Sequence, residues 1–212
     1  MPHYINPLHP PVPTEIHSPY TALSNACPIF HPPFPTQLPP PSYKRVPQRT
    51  PANLDLLHRR SSPCIPIMFD LIGAPSRGLG IPMRELVVRS GGALERMLVD
   101  ASEPVGSRMT RSGGVRKVTF RIMWPGYEHA NWCPCFDLYT SKSPLTRGQL
   151  AVQIAQGYFD FIKHMTSYGV PSQGGMEWRL GTSGISFERL ILVAFWNVCD
   201  DNWMAEVFVD YR

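Results

Sequence analysis

Between residues 150 and 165, apolar side chains recur at helical spacing. Leu150, Ala151, Ile154, Ala155, Tyr158, Phe161, Ile162 and Met165 form one stripe, while Gln153, Gln156, Asp160 and Lys163 face away. The stripe opens with a capping box, Thr146-x-x-Gln149, and Leu145 and Leu150 occupy the hydrophobic-staple positions. Gly169 and Pro171 end it. The pattern predicts a long amphipathic helix.

Elsewhere in the C-terminal two-thirds a period of two prevails. Val118, Phe120 and Ile122 alternate with Lys117, Thr119 and Arg121, which predicts a half-buried strand over residues 115–124. Pro125-Gly126 then supplies the residues of a type II turn. Trp132, Phe136 and Leu138 continue in a second strand, with Cys133, Cys135 and Asp137 on its other face, and the two strands read as a β-hairpin. Residues 185–198 are almost unbroken in their apolarity and suit a central strand buried on both faces. Asp200-Asp201-Asn202 turns that strand into a last one over 203–209. Residues 65–72 read as a short first strand, placed at an edge by Pro66. Ala93, Leu94, Met97 and Leu98 predict a short helix. Residues 82–90 are ambiguous, because Pro82 and Gly91 favour a helix while Val87-Val88 suits a strand; helix is the reading adopted. The fold class is α+β: an antiparallel or mixed sheet with one long helix packed on a face.

Residues 1–64 carry no such pattern. Nineteen of the 24 prolines fall at or before Pro82, and all five tryptophans fall after it. Frequent prolines remove backbone donors and bias their predecessors to extended conformations, so neither helix nor sheet propagates. The expected organisation is a disordered proline-rich arm, 1–64, joined to a single α+β domain, 65–212. That domain is long enough to bury a core without disulfide or metal staples.

Composition narrows the function classes only a little. A net charge of +4 is scattered rather than blocked, so nucleic acid is not indicated as a partner. The N-terminal residues lack a charged segment followed by an apolar one, and the apolar run over 190–196 is too short to span a bilayer. Five cysteines at irregular positions do not resemble a disulfide framework. An intracellular chain, cytoplasmic or nuclear, without a membrane partner is expected.

Candidate chemistry is sparse. Pro40-Pro41-Ser42-Tyr43 has the PPxY form read by WW domains, which marks Pro40, Pro41 and Tyr43 as partner-binding candidates. Arg59-Arg60-Ser61-Ser62-Pro63 makes Ser62 a phosphorylation candidate. His129, Cys133 and Cys135 are ligand types that zinc prefers, but the Cys-x-Cys spacing departs from the usual knuckle, and no metal or other cofactor is expected. Arg108, Arg111, Arg116 and Lys117 flank a glycine-containing loop that reads as a solvated basic loop. Arg-Ser-Gly-Gly occurs at 89–92 and again at 111–114, too short a string to establish a repeat. No serine or cysteine is paired with a histidine in a recognised catalytic pattern, and residues 181–184 lack nucleophile-elbow spacing.

The residues Pro66-Ile-Met-Phe-Asp70, Ala101-Ser-Glu-Pro104, Trp124-Pro-Gly-Tyr127 and Leu145-Thr-Arg147 resemble a family of uncharacterised domains from mushroom-forming fungi, over most of residues 65–209. These are turn, cap and core positions. The resemblance therefore implies a scaffold and an intracellular fungal origin, and supplies no catalytic residue. The functional expectation is a non-enzymatic interaction protein, an adaptor or scaffold with a linear-motif tail. The alternative is a nucleic-acid-binding or metal-binding domain.

Overall fold

The computed structural model describes residues 40–48, 65–89, 91–105, 109, 117–141, 143–168, 171, 173–199 and 201–212. Its elements run β1 (Tyr43–Arg45), β2 (Ile67–Met68), β3 (Ile81–Pro82), α1 (Met83–Val88), α2 (Gly92–Glu95), β4 (Lys117–Arg121), β5 (Cys135–Asp137), α3 (Arg147–Tyr168), β6 (Leu190–Cys199) and β7 (Asn202–Asp210). Short 3-10 turns lie at Glu128–Ala130, Gln173–Trp178 and Phe187–Arg189.

β6 and β7 are the longest strands and pair antiparallel as the central hairpin of one mixed sheet, ordered β2-β6-β7-β4-β5. The outer edge of β7 is shared. β4 lies parallel to it from Asn202 to Met204, and β1 lies antiparallel to it from Phe208 to Asp210. β2 and β3 both pair with β6. The apolar run of β6 is buried on both faces, as its composition demands. A β-bulge between Leu192 and Ala194 inserts one extra residue against β7. Leu190 and Leu192 therefore face the main core, Val193 and Ala194 face the other way, and Phe195 returns to the core.

The main core lies between the sheet and α3. Leu150, Ala151, Ile154, Ala155, Tyr158 and Phe161 are fully buried, in agreement with the stripe. The predicted capping box is present: the Gln149 amide donates to Thr146 Oγ1 at 3.3 Å, and the Thr146 amide donates to Gln149 Oε1 at 3.0 Å. Leu145 and Leu150 are both buried beside it. At Gly157 the helix lies against the Phe120 ring, where an added Cβ would sit 3.0 Å from a ring carbon. The first helical residue, Arg147, is buried. Its guanidinium donates to the Met68 carbonyl at 2.9 Å and pairs with Glu103.

The turn at Pro125-Gly126 has the expected form, with Gly126 at φ 87° and the Tyr127 amide donating to the Trp124 carbonyl at 2.9 Å. Gly126 also meets Gly175 backbone to backbone, and a Cβ on either would fall under 3 Å from the other. Trp124 Nε1 donates to the Trp178 carbonyl at 2.7 Å and the Leu180 amide donates to the Tyr127 hydroxyl at 3.2 Å, so this turn anchors the segment that follows α3. The ambiguous segment is α1, entered through the short β3 at Ile81–Pro82.

One boundary differs from the expectation. Residues 40–48, assigned above to the disordered arm, belong to the fold. β1 pairs with β7, Val46 enters the main core, and Gln48 is buried beside Tyr158. Glu206 supplies the physical reason. Its carboxylate is 2% exposed within an apolar strand, and Arg45 of β1 places Nε 3.0 Å from it while lying over the Phe208 ring. A carboxylate at that depth requires a cation, and β1 delivers one.

Two substitutions test this architecture. Arg45→Met is expected to destabilise the protein by about 3 kcal/mol, because it leaves Glu206 buried without its guanidinium, and the double variant Arg45→Met/Glu206→Met should recover most of that loss. Urea midpoints of the two variants check it; equal destabilisation in both would mean that the pair is not the reason β1 docks. Thr146→Ala should cost about 0.5–2 kcal/mol through loss of the cap, and an unchanged midpoint would show that the helix does not depend on it.

Candidate functional site

The PPxY residues lie at the start of β1. The Tyr43 amide donates to the Pro40 carbonyl at 2.8 Å, so Pro40-Pro41-Ser42-Tyr43 closes a tight turn rather than an extended polyproline segment. Tyr43 then pairs with Asp210, and its ring packs against Phe208 with centroids 6.5 Å apart. Arg212 covers the outer side of that ring at 5.1 Å and donates to the Tyr43 hydroxyl at 2.8 Å while also bonding Asp210. The Arg212 hydrogen bond holds the Asp210 carboxyl below its ordinary range. A lowered carboxylate pKa contributes stability above the ordinary value, and that contribution is lost as pH falls through the lowered one. Lys44, on the opposite face, pairs with Glu177 and lies over the Trp178 ring.

The three metal candidates are not assembled into a ligand set. Cys133 Sγ donates to the Asn131 carbonyl at 3.0 Å and receives Arg121 Nη1 at 3.1 Å, while Arg121 Nε donates to Asn202 Oδ1 at 2.6 Å. Asn131 holds a left-handed conformation there, with φ 43°. Cys135 is exposed on β5, and His129 stacks on Tyr127. Among the described residues no group of three or more His, Cys, Asp or Glu side chains is placed to hold a metal ion. The arginine beside Cys133 was hidden in the sequence, because the contact arises from pairing across β4, β5 and β7. Ser62, Arg108, Arg111 and Arg116 lie outside the described residues. No described helix is long and apolar enough to cross a membrane.

Among the described residues, three surface hollows stand out. One, of about 310 Å³, has a floor of Leu71, Ile72, Ala93 and Met97 and is flanked by Arg89 and Arg96. Arg89 pairs with Glu85 one turn back on α1, whereas Arg96 has no ion-pair partner among the described residues. Ile72 is 54% exposed, and Val88, at the end of α1, is 85% exposed. A second, also about 310 Å³, lies along α3 between Trp132, Asp160, Lys163, His164 and Ser167, with the Trp132 and His164 rings 5.4 Å apart. A third, about 230 Å³, is lined by Phe159, Ile162, Thr166, Phe187 and Glu188 among others. Hydrogen bonds from its own backbone amide and from Ser186 lower the Glu188 carboxyl, with burial opposing them and Arg84 adding to them. Buried in the core, the Tyr158 hydroxyl is pushed far above the ordinary tyrosine range by desolvation, with the nearby Gln48 side chain opposing the shift.

The first hollow combines both kinds of contact a peptide needs, an apolar floor and fixed charge. Sequence reading missed it because Leu71 and Ile72 are separated from Ala93 and Met97 by the whole of β3 and α1. The available signals were the two adjacent valines facing solvent and the first Arg-Ser-Gly-Gly string. No protein-family model, curated protein or solved structure matches the chain.

For a WW domain to read Tyr43, residues 40–45 must first leave β7. A peptide of residues 36–48 is therefore expected to bind a responsive WW domain at least about tenfold more tightly than the intact chain does, since only the undocked fraction of the chain is competent. Arg212→Ala should narrow the gap, and Tyr43→Ala in the peptide should abolish binding. Equal affinities for peptide and intact chain, measured by calorimetry, would contradict the docked arrangement in solution.

Proposed function

We propose that this protein is a non-enzymatic interaction protein whose folded domain captures an acidic peptide carrying apolar side chains. The observation that carries the proposal is the hollow between α1 and α2, where Leu71, Ile72 and Met97 offer apolar contact between two arginines. Apolar side chains of a partner would displace water from this floor, and its carboxylates would meet planar guanidinium groups that suit bidentate pairing. Arg89 would exchange Glu85 for the partner, an exposed pair whose loss costs little. Charge at the rim favours rapid, salt-sensitive encounter, so the expected interaction is a transient one.

The test is selection of random twelve-residue peptides on the immobilised full-length chain. Selected peptides should be enriched in Asp and Glu next to Leu, Ile or Phe, and Arg89→Glu/Arg96→Glu should weaken them by at least about tenfold at low salt. Ile72→Ser should weaken the same peptides without removing their salt dependence. Absence of such enrichment, or selected peptides that bind the double charge-reversal variant equally well, would refute the proposal.

A further inference from the structure

Two thiols share one face of the sheet with an arginine that lacks an acidic partner among the described residues. The pairings Thr119↔Cys135 and Ile122↔Trp132 fix the register of β5 and the residues before it against β4, so Cys133 lies across from Arg121 and Cys135 across from Thr119. Side chains two positions apart on a strand point the same way. Cys133 is half-buried, Cys135 is exposed, and both are free. Arg121 is held from two sides: Nε donates to Asn202 Oδ1 at 2.6 Å, and Nη1 lies 3.3 Å from Asn131 Oδ1 and 3.1 Å from Cys133 Sγ. Its Nη2 has no hydrogen-bond partner among the described residues. Asn131, at φ 43°, sets its carbonyl 3.0 Å from the same sulfur. Sulfur and guanidinium are thus in position before any reactant arrives.

We propose that Cys133 and Cys135 form a reversible redox-modification site, in which hydrogen peroxide oxidises Cys133 and Cys135 resolves the product to a disulfide. The negative charge that sulfur carries when it attacks is met by Arg121 Nη1, and Nη2 is left to donate to the oxygen that departs. In the first step the Cys133 thiolate, its proton passed to water, attacks one peroxide oxygen. An S–O bond forms, the O–O bond breaks, and the departing hydroxide takes up a proton. Sulfur gives up two electrons and becomes a sulfenic acid. In the second step the Cys135 sulfur attacks that of Cys133, an S–S bond forms, the S–O bond breaks, and water leaves. Two thiols and one peroxide yield one disulfide and two waters. Reach permits this: a strand rise of about 3.3 Å per residue sets the two Cα atoms about 6.6 Å apart, near the upper end of the span of about 4.4–6.8 Å that a disulfide bridges. The strand must bend a little toward that face, and Pro134 is where it yields, because it accepts from the Phe120 amide at 2.8 Å and has no amide to return. Closure draws Cys133 away from Arg121 and leaves a guanidinium uncovered on the sheet. A thiol such as glutathione reverses the bond by exchange.

The experiment is a short pulse of substoichiometric hydrogen peroxide on the reduced full-length chain, followed by isotope-coded alkylation and peptide mapping. Cys133 and Cys135 are expected to lose their thiols together, at least about tenfold faster than Cys27 and Cys64 of the same molecule, and to be recovered by dithiothreitol. In Cys135→Ser, dimedone should trap a sulfenic acid on Cys133. In Cys133→Ser, Cys135 should react no faster than Cys27. Arg121→Gln should slow oxidation of Cys133 at least about tenfold, and Arg121→Lys should recover part of that loss. Loss of all thiols at one rate, undiminished oxidation of Cys135 in Cys133→Ser, an unchanged rate in Arg121→Gln, or a disulfide joining either cysteine to Cys199 or to a second copy would overturn the proposal. The comparison among thiols of the unsubstituted chain decides the matter even where a variant loses its fold.

Discussion

A carboxylate set into an apolar strand constrains more of this fold than any single hydrophobic contact. Glu206 sits in the middle of β7 with apolar neighbours on both sides in sequence, and the sheet that buries it must also bring a cation to it. Arg45 comes from a strand outside the central hairpin, so one ion pair determines which segment completes the outer edge of β7. Such pairs contribute little net stability relative to a well-packed apolar pair, but losing one partner is costly. The arrangement thus favours a specific strand, in a specific register, over any other extended segment that could offer backbone hydrogen bonds to the same edge.

Arg147 makes the same kind of demand at the other end of the core. A positive charge at the first turn of a helix is unfavourable to the helix dipole, yet the guanidinium is buried there, held by Glu103 and by the Met68 carbonyl. The backbone agrees, since the Arg147 amide donates to the Glu103 carbonyl and the Gly148 amide to the Ala101 carbonyl. Residues 66–70, 101–104 and 145–147 therefore meet at this one side chain. Residues 124–127 form the turn against Gly175. At both places the backbone and buried polar groups leave little choice of residue.

What was legible in the sequence followed from local rules. The α3 stripe, its cap, the turn at Pro125-Gly126 and the buried run of β6 each rest on residues close together in the chain, so periodicity and side-chain chemistry suffice to read them. What was not legible depended on distant partners. Tyr43 to Arg45 looked like linker because three residues among prolines carry no period, and their strand exists only because β7 offers an edge and Glu206 a charge. The parallel pairing of β4 with β7 was likewise invisible, since the strands that meet are separated by β5, α3 and β6. The hollow between α1 and α2 has no linear signature for the same reason. The β6 bulge escaped because an all-apolar run does not reveal which residues face which side.

The pairing of β1 with β7 also has a consequence in time. Tyr43 and Arg212 are 169 positions apart, so during synthesis β1 leaves the ribosome long before the strand that receives it. At ordinary elongation rates the interval is on the order of ten seconds or more, far longer than a peptide needs to explore its surroundings. Throughout that interval Pro40 to Tyr43 belong to no sheet, and any partner that recognises them as a free extended segment meets the nascent chain under conditions the finished protein no longer provides. The age of the molecule, rather than a modification or a ligand, then sets how accessible this motif is.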